Sequence, residues 1–571
     1  MTSTTGSAVS VRVEQGSGGR VWRISEPADT AAFEGAQWPP LISQLLARRG
    51  VDGLDPALAH FAEPRELTDP ALMPNLDVAV DRLSRACRDG ETVAVLGDFD
   101  VDGITSTTVL VEGLRGLGAK PLPYIPHRFS EGYGPNVDAV RQLHSDGASL
   151  LVTADCGTSS VREVAEANEL GMEVIVIDHH TVPDELPAAF AVVNPKLTGS
   201  EYGSEPAAVG VAYKVVHDLH DRLGAEYDPQ PHRALVALGT VCDLAPMLAE
   251  NRDLVRLGMR SLARSKRPGL LALAEAAHAQ LDEVDPDMCG WVLGPRINAA
   301  GRMEHGRIAL DLLLARSEQE AKPLAEQLEQ LNRERREQTA AAVELAGELL
   351  EGREPGALTF VASPDISQGI VGLVASRLVE QRYRPAIVMQ IAGDEGRASC
   401  RSVDGFDITA LLRRHGDLLL KFGGHRAAAG FSIDAARLDE VRTALTADAA
   451  EQLDLDSLVP SIEIDAELPL AAVNGELLQW LLKLGPHGIG NPTPRFLSRG
   501  VTVDGSRAVG ADGSHLQFSL KAGRVTWRAI SFGNAEFAVP DGEAADIVFT
   551  FRRDELRGTL QLEVLDLRPA V

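Results

Sequence analysis

The chain has 571 residues, 44% of them hydrophobic and 24% charged, and its 82 acidic against 55 basic side chains give a formal charge of −27. At ~150 residues per domain the length suggests about four domains, and the composition excludes a mostly disordered chain. The acidic balance excludes a global electrostatic pull toward nucleic acid, so any polyanion has to be met by metal ions and local basic patches.

The first residues, MTSTTGSAVSVRVEQGSGG, lack a basic stretch followed by an apolar one. No apolar run approaches the ~20 residues of a membrane helix, so neither a secretory signal nor a membrane span is expected. The 5 cysteines, at 87, 156, 242, 289 and 400, include no CxxC. Their number and spacing fit neither a disulfide scaffold nor a structural zinc site, and a reducing cytoplasm is expected.

Residues 1–55 are polar and Gly/Ser-rich, then weakly amphipathic, and read as a loose N-terminal extension packed on the domain after it. From about residue 90 short apolar runs alternate with helical stretches: 92–96 (TVAVL), 149–153 (SLLVT), 173–177 (EVIVI) and 191–193, with a helix expected over 160–170. The runs are apolar throughout rather than alternating, as strands covered on both faces require. Strand, helix, strand in repetition predicts an α/β domain with a parallel sheet and right-handed crossovers. Over 316–351, Leu324, Leu328, Leu331, Ala342, Leu345 and Leu349 recur at spacings of three and four around a charged middle, QLNRERREQ. This predicts a long amphipathic helix with a partly solvated centre. It reads as a bridge between domains, because a second α/β pattern, with runs at 358–362 (LTFVA) and 386–390 (AIVMQ), begins right after GREPG. Beyond about 455 the runs VTVDG, LQFSLK, VTWRAISF, DIVFTFR and LQLEVLDLR are separated by Gly and Asp turns. They predict a small all-β barrel.

The strongest chemical signal lies where the apolar runs end. TVAVL is followed by Gly97-Asp98-Phe99-Asp100-Val101-Asp102, SLLVT by Ala154-Asp155, and EVIVI by Asp178-His179-His180, while LVALGTVC delivers Asp243. In an open parallel sheet the carboxyl ends of the strands line one crevice. Four such ends would therefore aim these groups at one point. Each feature alone has a plain explanation: a DxD in a turn, paired structural histidines, Asp155 as a helix N-cap. Together they form a cluster of carboxylates that would repel one another unless divalent cations neutralised them. Carboxylates with imidazoles and no thiolate suit Mn²⁺ or Mg²⁺, with Zn²⁺ or Co²⁺ as alternatives. More than four ligands implies two ions, the arrangement that activates water for phosphoryl displacement. Cys156 and Cys242, beside these residues, read as small buried hydrophobes.

The segments VLGDFDVDGITS, VTADCG, VIDHH and LGTVCDLAPM resemble, in order, the four motifs of the DHH phosphoesterase family. RFSEGYGPN, VVNPK, GPRINAAGRM, KFGGHRAAAGF and GIGNPTPRF resemble its RecJ branch, from about residue 40 to the C-terminus. The resemblance implies a DHH catalytic domain (56–315), a connecting helix (316–354), a DHH-associated α/β domain (355–455) and an OB-fold nucleic-acid-binding domain (456–571). It implies a 5′→3′ exonuclease specific for single-stranded DNA, releasing 5′-mononucleotides with two Mn²⁺ or Mg²⁺ ions in DNA repair and recombination. The expected surroundings are cytoplasmic, for a monomer away from any membrane, with a single-strand-binding protein and a repair helicase as partners. The ligands carry over as Asp98, Asp100, Asp102, Asp155, His179 and Asp243, with Asp155 bridging the ions. Asp178 would orient an imidazole, and His180 would donate a proton or contact phosphate. Two departures stand out: Leu96 occupies a position where some relatives have His, and Ile366-Ser367 stands where the family often has Trp-His. The rival functions are a DHH phosphodiesterase for short oligonucleotides or cyclic dinucleotides, and a catalytically dead nucleic-acid-binding scaffold. The barrel argues against the first and the intact acidic and histidine set against the second.

The second lobe offers cations. Gly423, Gly424, His425 and Arg426 combine glycines that admit backbone N–H groups to a phosphate with a basic pair. With Arg397, Arg401 and Ser402 they are expected to clamp the terminal nucleotide, Arg401 in bidentate fashion. Arg296 and Arg302 would line the path between the lobes, a structural salt bridge being the alternative. In the barrel, Trp527 and Phe532 are candidate base-stacking rings, or else core.

Overall fold

The computed structural model describes residues 11–64, 67–352, 356–455, 458–510, 513–535, 539–554 and 559–570. They fall into two units, one of residues 64–454 and one built from both chain ends, 1–63 with 455–571. The second of these begins with an antiparallel hairpin of β1 (Val11–Gln15) and β2 (Val21–Ser25), followed by α1 (Pro40–Arg48) and α2 (Leu54–Phe61).

The unit of residues 64–454 opens with α3 (Leu76–Asp89), then β3 (Thr92–Gly97), α4 (Val101–Gly116), β4 (Lys120–Tyr124), α5 (Val137–Ser145), β5 (Leu150–Ala154), α6 (Val161–Glu169), β6 (Glu173–Ile177) and β7 (Ala191–Val193). The five strands are all parallel, in the order β4-β3-β5-β6-β7. Successive strand residues serve opposite cores, because side chains alternate across a sheet. Val93, Val95, Val152, Ile175 and Ile177 pack with Val109 of α4 and Val211. Ala94, Leu96, Leu151, Val174 and Val176 pack with Val140 and Leu143 of α5 and Val164 of α6. This double cover is why the strands read as unbroken apolar runs. The chain steps from β3 outward to β4 and then back past β3 to β5. The crevice at the carboxyl ends of β3 and β5 is therefore a topological switch point.

Helices α7 (Ala208–Leu223), α8 (Gln230–Cys242), α9 (Ala249–Ala263), α10 (Pro268–Ala276), α11 (Gly294–Met303) and α12 (Arg307–Leu314) follow. The run LVALGTVC, expected to end in the same way as the strands, is instead the C-terminal half of α8, so Asp243 arrives at a helix end. An apolar run buried on all sides has the same composition in either conformation. Gly239 shows how closely this helix packs: a Cβ there would lie 2.5 Å from Oγ1 of Thr105 on α4.

Helix α13 (Glu318–Leu350) is capped by Ser317, whose Oγ accepts from the Glu320 N–H at 3.3 Å. GREPG lies mostly at 353–355, outside the described residues. Then come β8 (Thr359–Ser363), α14 (Val371–Arg382), β9 (Ala386–Ala392), β10 (Glu395–Arg401), α15 (Ile408–Arg414), β11 (Lys421–His425), β12 (Ala428–Asp434) and α16 (Leu438–Gln452). Their sheet, ordered β11-β12-β10-β9-β8, is parallel only between β8 and β9.

The other unit resumes with β13 (Ser461–Ile464), β14 (Ala466–Glu467), α17 (Gly475–Leu484), β15 (Phe496–Val509), β16 (His515–Ala522), β17 (Val525–Ser531), β18 (Ala544–Asp554) and β19 (Thr559–Pro569). Strands β14-β15-β16-β17-β19-β18 form a sheet closed into a barrel by pairing of β15 with β18. The N-terminal segment, expected as a loose extension on the catalytic domain, belongs here instead. β13 pairs in parallel with β2. Trp22 is fully buried, donates from Nε1 to Asp566 Oδ2 at 2.7 Å, and packs with Ile464, Leu497 and Val548. Ile42, Leu45 and Leu46 of α1 enter the same core as Leu477, Phe496 and Phe549. The apolar face of α1, faint in a short helix, finds its complement more than 400 residues away. Among the described residues no helix is long and apolar enough to cross a membrane.

Candidate metal centre

The acidic and imidazole groups converge at the switch point. Asp98 follows β3. Asp100 caps α4, its Oδ1 accepting from the Gly103 N–H at 3.0 Å. Asp102, in the first turn of α4, is buried, and its two carboxylate oxygens accept from the Ala208 and Val209 N–H groups at 2.7 and 2.9 Å. These are the first amides of α7, whose positive end favours an anion. Asp155 follows β5 with φ at 63°, a left-handed conformation rare for a residue with a side chain. His179 and His180 follow β6, and Asp243 caps α8.

Three groups place ligand atoms within 4.8 Å of one another: Asp98, Asp100 and Asp155; Asp155, His179 and His180; and Asp102, His179 and Asp243. Asp155 joins the first two and His179 the last two. Nε2 of His179 lies 3.2 Å from Oδ1 of Asp155, and 3.7 Å from oxygens of both Asp102 and Asp243. Oδ1 of Asp98, Oδ1 of Asp155 and Nε2 of His179 are buried without a hydrogen-bond partner. Burial, and then repulsion by neighbouring carboxylates, pushes Asp98 and Asp155 well above the usual range, Asp102 up to about 7 and Asp243 up to about 9. Burial, and then the charge of His180, lowers His179 to about 3, keeping it in the neutral form a metal requires. Divalent cations are the natural counterpart of such a set.

Asp178 stands behind the imidazoles. Its Oδ1 accepts from the His179 N–H at 2.7 Å and pairs with His180 Nδ1 at 2.8 Å, while Oδ2 accepts from the Thr158 N–H at 3.0 Å. Burial alone would raise Asp178 and lower His180. Their mutual hydrogen bond and charge outweigh it, holding Asp178 low and His180 above its ordinary value. Leu96 is fully buried in the core on the α5–α6 face, and the three groups assemble without it.

A cationic wall faces the carboxylates. The Arg128 guanidinium lies 4.0 Å over the Phe99 ring, in reach of the charges of Asp98 and Asp100, and its Nε is buried without a partner. Arg302 is driven down to about 9 by burial and then by Arg128, Arg335 and Arg401, and its Nη1 donates to the Gly369 carbonyl at 3.3 Å. Arg401 donates from Nη1 to the Cys400 carbonyl at 2.8 Å and to Ser399 Oγ at 3.1 Å. A Cβ on Gly372 would sit 3.1 Å from Arg401 Nη2. His425 is near enough to His179 to depress it further. Gly424, with φ at 137°, has no room for a Cβ, which would lie 2.5 Å from the Ala428 carbonyl oxygen. Gly423 and Arg426 are exposed on the same hairpin.

Other predicted contacts are engaged elsewhere. Arg296 is committed to Glu329 at 2.6 Å and to the Val292 carbonyl at 2.7 Å, the salt-bridge alternative. Ser402 donates to the Phe406 carbonyl at 2.8 Å. Arg397 pairs with Glu395 at 3.0 Å and reaches the Phe129 carbonyl at 3.4 Å. In the barrel, Trp527 packs edge-on against Phe551, while Phe532 is 40% exposed beneath the Arg552 guanidinium at 5.1 Å. Sequence reasoning missed Arg128, Arg335 and Tyr133. Tyr133 donates to the Asp155 carbonyl at 2.9 Å and lies 3.3 Å from both ring nitrogens of His180. Arg128 and Tyr133 stood inside the quoted RFSEGYGPN, and Arg335 inside the charged middle of α13.

A parallel sheet with carboxylates and imidazoles gathered at its switch point, opposed by arginines that form no salt bridge among the described residues, defines a metal-dependent phosphoesterase. The DHH family N-terminal domain matches residues 92–240, the DHHA1 domain 355–451 and the RecJ OB domain 464–566. The chain is 35% identical over 569 residues to the single-stranded-DNA-specific exonuclease RecJ of Salmonella typhimurium, covering 94% of this chain and 97% of that protein. It is likewise 35% identical over 524 residues to the RecJ of Bacillus subtilis, covering 90% of this chain but 66% of that longer protein. The crystal structure of Thermus thermophilus RecJ in complex with Mn²⁺ superposes with a TM-score of 0.82 at 31% identity, over 96% of this chain and 80% of that one. The chain belongs to the RecJ family of single-stranded-DNA-specific exonucleases.

Proposed function

We propose that this chain removes 5′-mononucleotides from single-stranded DNA in the 5′→3′ direction, by two-metal hydrolysis with Mn²⁺ or Mg²⁺, in DNA repair and recombination. The observation that carries this reading is the joint between the ligand groups: Asp155 belongs to the carboxylate group and to the imidazole pair, and its buried Oδ1 has no partner. When bound, two ions there would neutralise the carboxylates and activate water for attack on phosphorus. Asp98 and Asp100 would serve one position, Asp102, His179 and Asp243 the other, with Asp155 shared. With Nδ1 bonded to Asp178, Nε2 of His180, beside the Tyr133 hydroxyl, is the nitrogen that would meet a phosphate oxygen or give a proton to the leaving group. Arg128, Arg302 and Arg401 are suited to the anionic oxygens of a terminal phosphate, with the hairpin of Gly423, Gly424, His425 and Arg426 beside them.

Relatives named as single-stranded-DNA-specific exonucleases, and Mn²⁺ and Mg²⁺ complexes of the Thermus protein, support the substrate class and the ions. The barrel would give a second hold on the strand. A cytoplasmic monomer working with a single-strand-binding protein and a repair helicase fits this role. The test compares 5′- and 3′-labelled oligonucleotides, single- and double-stranded, with Mn²⁺, with Mg²⁺ and with chelator. The 5′ label should leave first, as a mononucleotide, from single strands only and only with metal. Release of the 3′ label first would overturn the direction, and metal-independent cleavage would overturn the mechanism.

A further inference from the structure

Between β4 and α5 the chain runs through residues 125–136 without helix or strand, yet this loop carries Arg128 over Phe99 and Tyr133 to the Asp155 carbonyl. Behind the loop lies a cleft of 470 Å³ lined by Ala139 and six polar residues, Tyr124, Ser130, Glu131, Asn136, Asp138 and Gln142, so little apolar packing backs it there. One carboxylate takes that role. Oε1 of Glu131 accepts from the Tyr124 hydroxyl at 2.5 Å and from Asn136 Nδ2 at 3.2 Å, while Oε2 accepts from the His127 N–H at 2.7 Å. The end of β4, the start of the loop and its last residue are thus tied to a single side chain. The Glu131 N–H also closes onto the His127 carbonyl at 2.9 Å. Glu131 belongs to none of the three ligand groups.

We propose that Glu131 is a positioning residue of the nuclease reaction, holding this loop in the form that presents Arg128 and Tyr133 to the metal centre. The inference rests on the function proposed above. Glu131 acts through Arg128 and Tyr133, so its loss should weaken the hold on substrate and leave the ion ligands in place. Hydrogen bonds to a charged group are strong enough for their removal to be read in kinetics.

The test uses the full chain with Glu131→Ala and Glu131→Gln, each also combined with Arg128→Ala. Glu131→Ala should raise KM for 5′-phosphorylated single-stranded DNA by about 10- to 100-fold with a smaller fall in kcat, as expected for lost charged hydrogen bonds. Mn²⁺ affinity, measured by calorimetry, should be unchanged. Glu131→Gln keeps one acceptor oxygen and should lie between parent and Glu131→Ala, and it serves as the measured variant if Glu131→Ala does not fold. In the Arg128→Ala background either substitution should add less than it does alone, because the share of its effect that passes through Arg128 is already lost. Folded Glu131 variants with parental KM, full additivity with Arg128→Ala, or weakened Mn²⁺ binding would each overturn the positioning role. A parent chain that releases no mononucleotides would instead overturn the function proposed above, which separates the two failures.

Discussion

Nε2 of His179 and Oδ1 of Asp155 lie 3.2 Å apart, both buried, and neither is engaged in a hydrogen bond. Two polar atoms held this close and left unsatisfied are costly unless a third partner sits between or beside them. The surrounding carboxylates, raised by burial and mutual repulsion, say that this partner is cationic.

Asp155→Asn tests both sides of that statement. It removes the cost of burying an ionisable carboxyl among other carboxylates, so without metal the folded protein should melt at a higher temperature than the parent. Activity should fall by about 1,000-fold or more, since the carboxylate proposed above to be shared by two ions is gone. Thermal melts in chelator and mononucleotide release in Mn²⁺ read the two effects separately. Near-parental activity would mean that Asp155 does not join two ions.

Arg401→Ala removes a cation whose recorded bonds go to neutral oxygens. Binding of single-stranded DNA should weaken, and the slope of log affinity against log salt should shrink by about 0.7, the value of one single-strand phosphate contact. Arg296→Ala, by contrast, should leave the slope unchanged, because Glu329 already neutralises Arg296. Filter binding from low to high salt checks both.

The joint of the chain ends predicts a pH effect. Glu14 is pulled down to about 2 by its hydrogen bond to Arg499, with Arg568 adding to it against the cost of burial. Its ordinary value is 4.5. The folded state therefore binds fewer protons than the unfolded state between these values. The stabilisation is complete above about 4.5 and disappears as the pH falls through about 2. Glu14→Gln should lower stability at neutral pH, and the difference from the parent should vanish near pH 2. Tryptophan fluorescence reports mainly on this unit, since four of the five tryptophans, Trp22, Trp38, Trp480 and Trp527, lie in it and the fifth, Trp291, is exposed in the other.

Removing the barrel alone is the wrong deletion. A fragment of residues 1–455 would leave Trp22, Ile24, Ile42 and Leu45 without Ile464, Leu477, Phe496 and Val548, and should be poorly soluble. A fragment of residues 64–454 keeps its own cores and all the ligand groups. It should cleave very short oligonucleotides about as well as the full chain and bind long strands more weakly. Equal binding of long strands by both would show that the barrel does not hold DNA.

The sequence alone determined which acidic and imidazole groups gather at one crevice and most of the fold that carries them. Asp98, Asp100, Asp155, His179 and His180 each stand within a few residues of a strand end, and strands covered on both faces announce themselves as short unbroken apolar runs. These are local signals. Only the tertiary structure decided whatever depends on partners distant in the chain. It made LVALGTVC a helix, since a fully buried run looks the same in either conformation. It gave the N-terminal hairpin to the barrel, because β2 meets β13 across more than 400 residues and no local pattern records that pairing. It also sorted the arginines: Arg296 into a salt bridge, Arg128, Arg302 and Arg401 into a wall that forms no salt bridge among the described residues. A charge in a sequence has no neighbours until the chain folds, and its neighbours and burial decide whether it is a structural ion or a free hand for substrate.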